Sequence, residues 1–522
     1  MGDTFLQHKL HPYDGSQDVS KNPILIDAKD IIYSDNIVYT NYATKKKRPG
    51  LTYLFDDFKT NHRRILAMHD FWRLGQQRLV IWDGKYLKSI DTSKEVVDDI
   101  SSGFTLPTDE AVTFLPYYGV LIIFFQDRNT IPKYWTQSGQ INNLSPTAPL
   151  APFGRVWLNR LVVPDPSVPG RVLFSKTNDF TDFTTGDAYA LDLDVNDGDP
   201  DGITAIFPVF FGVLYITKRL STYKVFTVSL DDGSYIITYS KISEGVGCIS
   251  HNAVVATEQN IIFPSDAGWH QMESSDKISE LDTSLLSRTI QPIWRDETNF
   301  KRAKYMQSIY DRQLNSVLCS FPAFSANYST DVWGFSLITK SWYRWSDYKQ
   351  TAFCKYIQPD TKKLVTAVGG STGTIGFIDD TVKKDYDKNI PPIRIVSGII
   401  APSGAPDEEY QYNYLGSLYV PQFKGEFKVS MKIDGLASNV QTFNMEDTSL
   451  GDTLGENFIL GQSILGGVPN IAYDKVRIGG NGMFHQFIIT HEDNSESGVD
   501  FELLGLILDL SSINKGTGKR VA

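Results

Sequence analysis

One pattern restricts this chain more than any other: two short apolar runs flanking a tight turn, recurring roughly every 40 to 50 residues. The pairs fall at 65–68 with 79–82, 112–115 with 120–125, 156–158 with 161–163, and 203–207 with 213–216. They continue at 253–256 with 261–263, 305–309 with 316–319, and 353–357 with 364–367. Further strand-like runs follow at 86–90, 131–135, 223–228 and 342–345. Apolar runs of this length bounded by turn residues read as short buried strands. A unit of a few such strands cannot cover both of its own faces, so the units must stack. Radial stacking gives a β-propeller, here of about seven blades. Successive hairpins packed as a sandwich are the competing arrangement. The 12% aromatic content and 40 glycines suit pleated surfaces joined by many turns.

Outside the repeat the pattern changes. Residues 1–62 read as an extended N-terminal arm, ending in a basic cluster of Lys45, Lys46, Lys47 and Arg48. Short charge runs usually face water, so the cluster is read as a solvated turn. The propeller is expected over 63–380. Pro391-Pro392 marks a linker, and alternation such as Phe427, Val429, Met431 predicts a C-terminal β-sandwich over 393–512. The glycine-rich stretch 447–467 reads as a long loop, and 513–522 as a frayed tail. No segment has a sustained helical period. The expected fold class is all-β: a propeller with an extended N-terminal arm and a C-terminal sandwich.

Composition narrows the function. A formal charge of −11 disfavours gripping nucleic acid, because affinity comes from Lys and Arg displacing phosphate counterions. Cys248, Cys319 and Cys354 have no C-x-x-C spacing and read as buried thiols of a reducing compartment. The N-terminus lacks a secretory pattern, and the apolar runs are too short to span a bilayer, so a soluble chain without membrane insertion is expected.

Chemical motifs are sparse. Gly369-Gly370-Ser371-Thr372-Gly373 is a formal G-x-S-x-G, but a nucleophile elbow needs a strand before it and a helix after it. Both flanks here read as strands, so it is taken as a turn. The acidic run Asp192, Asp194, Asp197, Asp199 and Asp201 resembles half of a calcium loop, yet Pro208 stands where the bidentate Glu belongs. The run is read as a solvated acidic loop and a candidate lumen or interface element. The eight histidines lack zinc spacing. No catalytic, cofactor or metal residue is assigned, and an enzyme is not expected.

Four stretches nonetheless carry a resemblance. Arg48-Pro49-Gly50-Leu51 is similar to an R-P-G-L closing motif. Residues 155–157, 171–175 and 179–183 resemble an "r-v-y-f-S…d-f-t-d-w" block. Gly198-Asp199-Pro200 precedes Tyr215-Ile216-Thr217-Lys218-Arg219, an aliphatic strand ending in a basic pair. Residues 247–250 and 261–269 resemble a "G-c-i…v-y-f-l-s…G-v" segment, departing at Trp269-His270, where an aliphatic is usual. Together they resemble the tail nozzle (tail-hub or stabilisation) proteins of short-tailed bacteriophages. The resemblance implies a structural virion protein of the tail, made in the host cytoplasm. It further implies a homo-oligomeric ring, a hexamer, below portal and adaptor and near tail fibre or needle proteins, with viral DNA passing through without specific binding. The rival reading is a propeller that binds or hydrolyses host polysaccharide, with Trp333, Trp342 and Trp345 as an aromatic platform.

Overall fold

The computed structural model describes residues 6–513 except 12–13, 56–62, 196–198, 200–201, 211, 232–234, 274–281, 403–407, 423–424, 438–439, 446–470 and 494–497. The loop expected at 447–467 and the tail beyond 513 therefore lie outside the described residues. Seven four-stranded antiparallel units follow one another as blades: 67–99, 112–143, 155–192, 205–244, 255–285, 307–345, and a seventh built on 350–379. Each expected pair of apolar runs forms the inner two strands of its blade. In blade 2, Val120–Phe125 pairs with Val112–Tyr117. Leu121, Ile122, Ile123, Phe124 and Phe125 are all fully buried. Neighbouring blades cover both faces of the strand, which is why the sequence there is an unbroken apolar run.

The seventh blade is completed from the other end of the chain. Gln350–Ile357, Leu364–Gly370 and Ile375–Asp379 supply three strands, and Gly50–Tyr53 supplies the fourth. Gly376 pairs with Tyr53 and Asp379 with Gly50. Arg48 pins this closing strand. Its Nη1 donates to Asp385 Oδ1 at 2.7 Å, and Nη2 donates to the other carboxylate oxygen. Its Nε donates to Asn36 Oδ1 at 3.2 Å, and the guanidinium lies 4.8 Å from the Tyr348 ring centroid. A Cβ on Gly50 would stand 2.1 Å from the Lys384 carbonyl oxygen, so only glycine fits this close approach.

The sandwich is joined to the propeller by a continuous sheet. The outer strand of blade 6, Ser341–Trp345, pairs in parallel with Ile31–Asp35, which pairs in turn with Ile393–Ser397. Two hydrogen bonds from Arg344, Nε to Asp35 Oδ1 at 2.7 Å and Nη2 to Oδ2 at 3.1 Å, weld the seam. His485–His491, Glu426–Ile433, Leu436–Ala437 and Gln441–Asn444 extend the sheet to ten strands. Facing it lie Ile37–Tyr39, Lys45–Lys47, Glu502–Ser512, Tyr410–Tyr419 and Ala472–Arg477. The common core interleaves Val429, Met431, Phe487 and Ile489 with Tyr412, Leu506, Leu508 and Leu510.

Two expectations are corrected here. Residues 31–53 are extended but not a free arm, since they provide strands to both sheets of the sandwich and to blade 7. The basic cluster is not a solvated turn, because Lys45, Lys47 and Arg48 are buried. Lys47 Nζ is 2.8 Å from Asp493 Oδ2, a carboxylate nearly 450 positions away that no local reading can find. The only α-helix among the described residues is the short Gln291–Glu297.

Two measurements test this packing. Arg48→Ala leaves Asp385 facing an unfilled pocket, and breaking such a pair costs about 3 kcal/mol. The variant is expected to melt well below the wild type, with Arg48→Met/Asp385→Leu recovering part of the loss. Lys45 gives a pH signature. Burial lowers its ammonium to about 7, and its Nζ has no hydrogen-bond partner among the described residues. Between that value and its ordinary one, the unfolded chain holds a proton that the folded chain has released, so stability rises with pH. The slope from this group approaches about 1.4 kcal/mol per pH unit. Lys45→Met is expected to be more stable at pH 7 and to lack this slope in denaturant melts at pH 7, 8 and 9. Equal slopes in the two proteins would contradict it.

Candidate functional site

The acidic run is not a convergent cluster among the described residues. Asp192 ends the outer strand of blade 3 and is bound by Arg171, Nε to Oδ1 at 2.5 Å and Nη2 to Oδ2 at 3.2 Å. The Arg171 hydrogen bonds hold its carboxyl below the usual range. Asp194 accepts from the Tyr239 hydroxyl at 2.9 Å, and its carbonyl accepts from Lys218 Nζ at 2.9 Å. Asp199 accepts from the Leu220 N–H at 2.8 Å. Asp197 and Asp201 lie outside the described residues. The described members tie the link between blades 3 and 4 to its neighbours. No group of three or more potential metal ligands occurs among the described residues.

The G-x-S-x-G string spans the end of Leu364–Gly370, a left-handed Gly373 (φ 81°), and the start of Ile375–Asp379. Both flanks are strands, and the Ser371 N–H donates to the Lys349 carbonyl at 2.9 Å. The loop borders a cavity of about 390 Å³ beside Tyr348, Tyr53 and Tyr386, the last two stacked at 4.3 Å. Trp333, Trp342 and Trp345 are blade core, at most 4% exposed, so they form no aromatic platform at the surface.

The concave features that sequence reading missed lie on the propeller axis. A central channel of about 510 Å³ is lined from the innermost strands, including His69, Thr113, Arg155, Gln307 and Cys354. Burial draws the His69 imidazole down to about 4 and the Arg155 guanidinium down to about 10. Contacts between nearly opposite blades narrow one end of the channel. The Thr113 hydroxyl of blade 2 donates to Asn252 Oδ1 at 2.7 Å, and Asn252 Nδ2 donates to the Val112 carbonyl at 3.2 Å. Lys304 Nζ, on the link between blades 5 and 6, reaches both Glu110 oxygens at 2.6 and 2.8 Å.

At that end the links leave a mouth of about 490 Å³. Arg128, Arg219, Lys301 and Lys304 line it, over a floor of Phe153, Ile249 and Phe300. Arg219 makes paired hydrogen bonds to Asp266 at 2.7 and 2.9 Å. Arg128 and Lys301 are exposed and have no carboxylate partner among the described residues. His251 lines both mouth and channel. Its ring stacks on Phe153 at 4.3 Å, and burial, aided by nearby Arg155, drives its basicity well down. Sequence could not assemble this mouth, because its walls come from turns and links scattered over about 180 residues.

Fold and site together define an all-β propeller protein carrying a fused β-sandwich. No family model matches the chain, and no curated protein matches it. Among solved structures it is similar to a chain of the crystal structure of the mitotic checkpoint complex. That match has a TM-score of 0.38 and 9% identity, over 64% of this chain and 93% of that one. It is also similar to PorZ, an essential bacterial surface component of the type-IX secretion system of Porphyromonas gingivalis. There the TM-score is 0.36 and the identity 8%, over 76% of this chain and 46% of that one, so the chain spans less than half of PorZ.

The three thiols give a direct check. All are free and buried. Desolvation pushes Cys248 up to about 12 and raises Cys319 and Cys354 as well. Thiolate is the reactive form. An aromatic disulfide reagent at pH 8 is expected to label none of them in the folded chain and all three in guanidinium.

Proposed function

We propose that this chain is a structural, non-catalytic subunit of a short-tailed bacteriophage tail, of the nozzle or hub kind. In this reading six copies close into a ring below portal and adaptor, with tail fibre or needle proteins beyond. The observation that carries it is the ten-stranded sheet running from blade 6 into the sandwich. It joins the two domains by strand pairing in addition to the Pro391-Pro392 connection, so they can bend against each other only by breaking ladder hydrogen bonds. Ring closure demands that rigidity, because each subunit must present two different faces at a fixed angle. The sequence resemblance adds support through Arg48-Pro49-Gly50-Leu51, the segment that locks the last blade. A net charge of −11 is compatible with a wall past which DNA slides without a binding minimum.

Negative-stain microscopy and light scattering of the purified chain, alone and with portal–adaptor assemblies, are expected to give six-fold rings. A monomer under both conditions would sink the proposal. Changing Asp192, Asp194 and Asp199 to Asn should leave particles assembled but slow genome ejection. Unchanged ejection kinetics would remove the acidic loop from the lumen.

A further inference from the structure

The mouth of the channel is basic in a chain that is acidic overall. Two of its four cations, Arg219 and Lys304, are fixed in place by Asp266 and Glu110. The other two, Arg128 and Lys301, project from a blade 2 turn and from the link between blades 5 and 6, and neither has an ionic partner among the described residues. Cations on separate backbone elements around one hollow repel each other and gain when an anion sits between them.

A second observation points the same way. His251 is 3% exposed, and its Nδ1 accepts the Ile206 N–H at 3.2 Å. The proton of the neutral ring is therefore on Nε2, and that atom has no hydrogen-bond partner among the described residues. A buried N–H donor left without an acceptor costs stability, which a ligand oxygen or a water ordered by one would recover. The donor belongs to a residue lining the same hollow as the free cations, so charge and hydrogen bonding call for one ligand chemistry. A mouth of about 490 Å³ is of small-molecule size.

We propose that this mouth binds a small phosphate-bearing anion, with Arg128 and Lys301 contacting its oxygens, Lys304 and Arg219 deepening the positive field, and the unpaired Nε2–H of His251, a residue of the same lining, as a further donor. Phe300 and Ile249 leave an apolar shelf for whatever the phosphates are attached to. The site is a property of the single chain and does not depend on the tail reading.

The test is calorimetric titration of tripolyphosphate, and separately of a nucleoside triphosphate, into the full-length chain at about 50 mM salt. One site per chain is expected for each, weakening as salt is raised. Equal affinities mean that the phosphate chain alone is read. Tighter nucleotide binding means that the apolar shelf contributes; both outcomes support the site. Arg128→Gln/Lys301→Gln is expected to weaken binding at least tenfold with an unchanged melting temperature, since both side chains are exposed and unpaired. No binding by the wild type, undiminished binding by the double variant, or citrate binding as tightly as tripolyphosphate would each overturn the proposal.

Discussion

A ring of blades has to close, and here closure depends on a strand borrowed from more than 300 residues away. Gly50–Tyr53 completes blade 7, and the Arg48–Asp385 pair holds it there. The entropy of bringing distant segments together grows only with the logarithm of their separation, so the distance itself is a modest penalty. Geometry is the harder requirement. The backbone at Gly50 runs against the Lys384 carbonyl, and the guanidinium of Arg48 has to be fully satisfied because water cannot reach it. The same stretch of chain, immediately upstream, also threads both sheets of the sandwich. Propeller and sandwich are therefore not beads on a string: they share residues 31–53 as a common spine.

This sharing explains what the sequence revealed and what it withheld. The inner strands of every blade were legible, because a strand covered on both faces must be apolar throughout and a tight turn must follow it. Val120–Phe125 and Leu161–Val163 announce themselves in any window. The spine did not, because its character is set by partners far along the chain. Lys45 and Lys47 look solvated until the opposing sheet closes over them and Asp493 meets Lys47. The sandwich was half readable: the alternation at Phe427, Val429 and Met431 showed one buried face, while the strands lent by residues 31–47 carry no such clean signal.

For the candidate site the balance was poorer. Closely spaced carboxylates suggest a cluster on paper, but Asp192 turns to a cross-strand arginine and Asp194 to a tyrosine of the next blade. Even spacing in sequence does not make side chains converge when each sits on a different bend of the backbone. The channel mouth shows the converse. Arg128, Arg219, Lys301 and His251 share no motif and no spacing, and they meet only because propeller topology sends every inter-blade link to the same end of the axis.

The shared spine also sets a timetable for synthesis. Gly50–Tyr53 leaves the ribosome early, whereas its partner Ile375–Asp379 follows more than 300 residues later and the last sandwich strand, Glu502–Ser512, later still. At roughly 5–20 residues per second, the nascent spine waits on the order of tens of seconds with its strand edges uncovered. Its lysines and arginine keep it hydrated during that interval, and Lys45, Lys47 and Arg48 are buried only once translation has delivered the carboxylate or sheet that receives each.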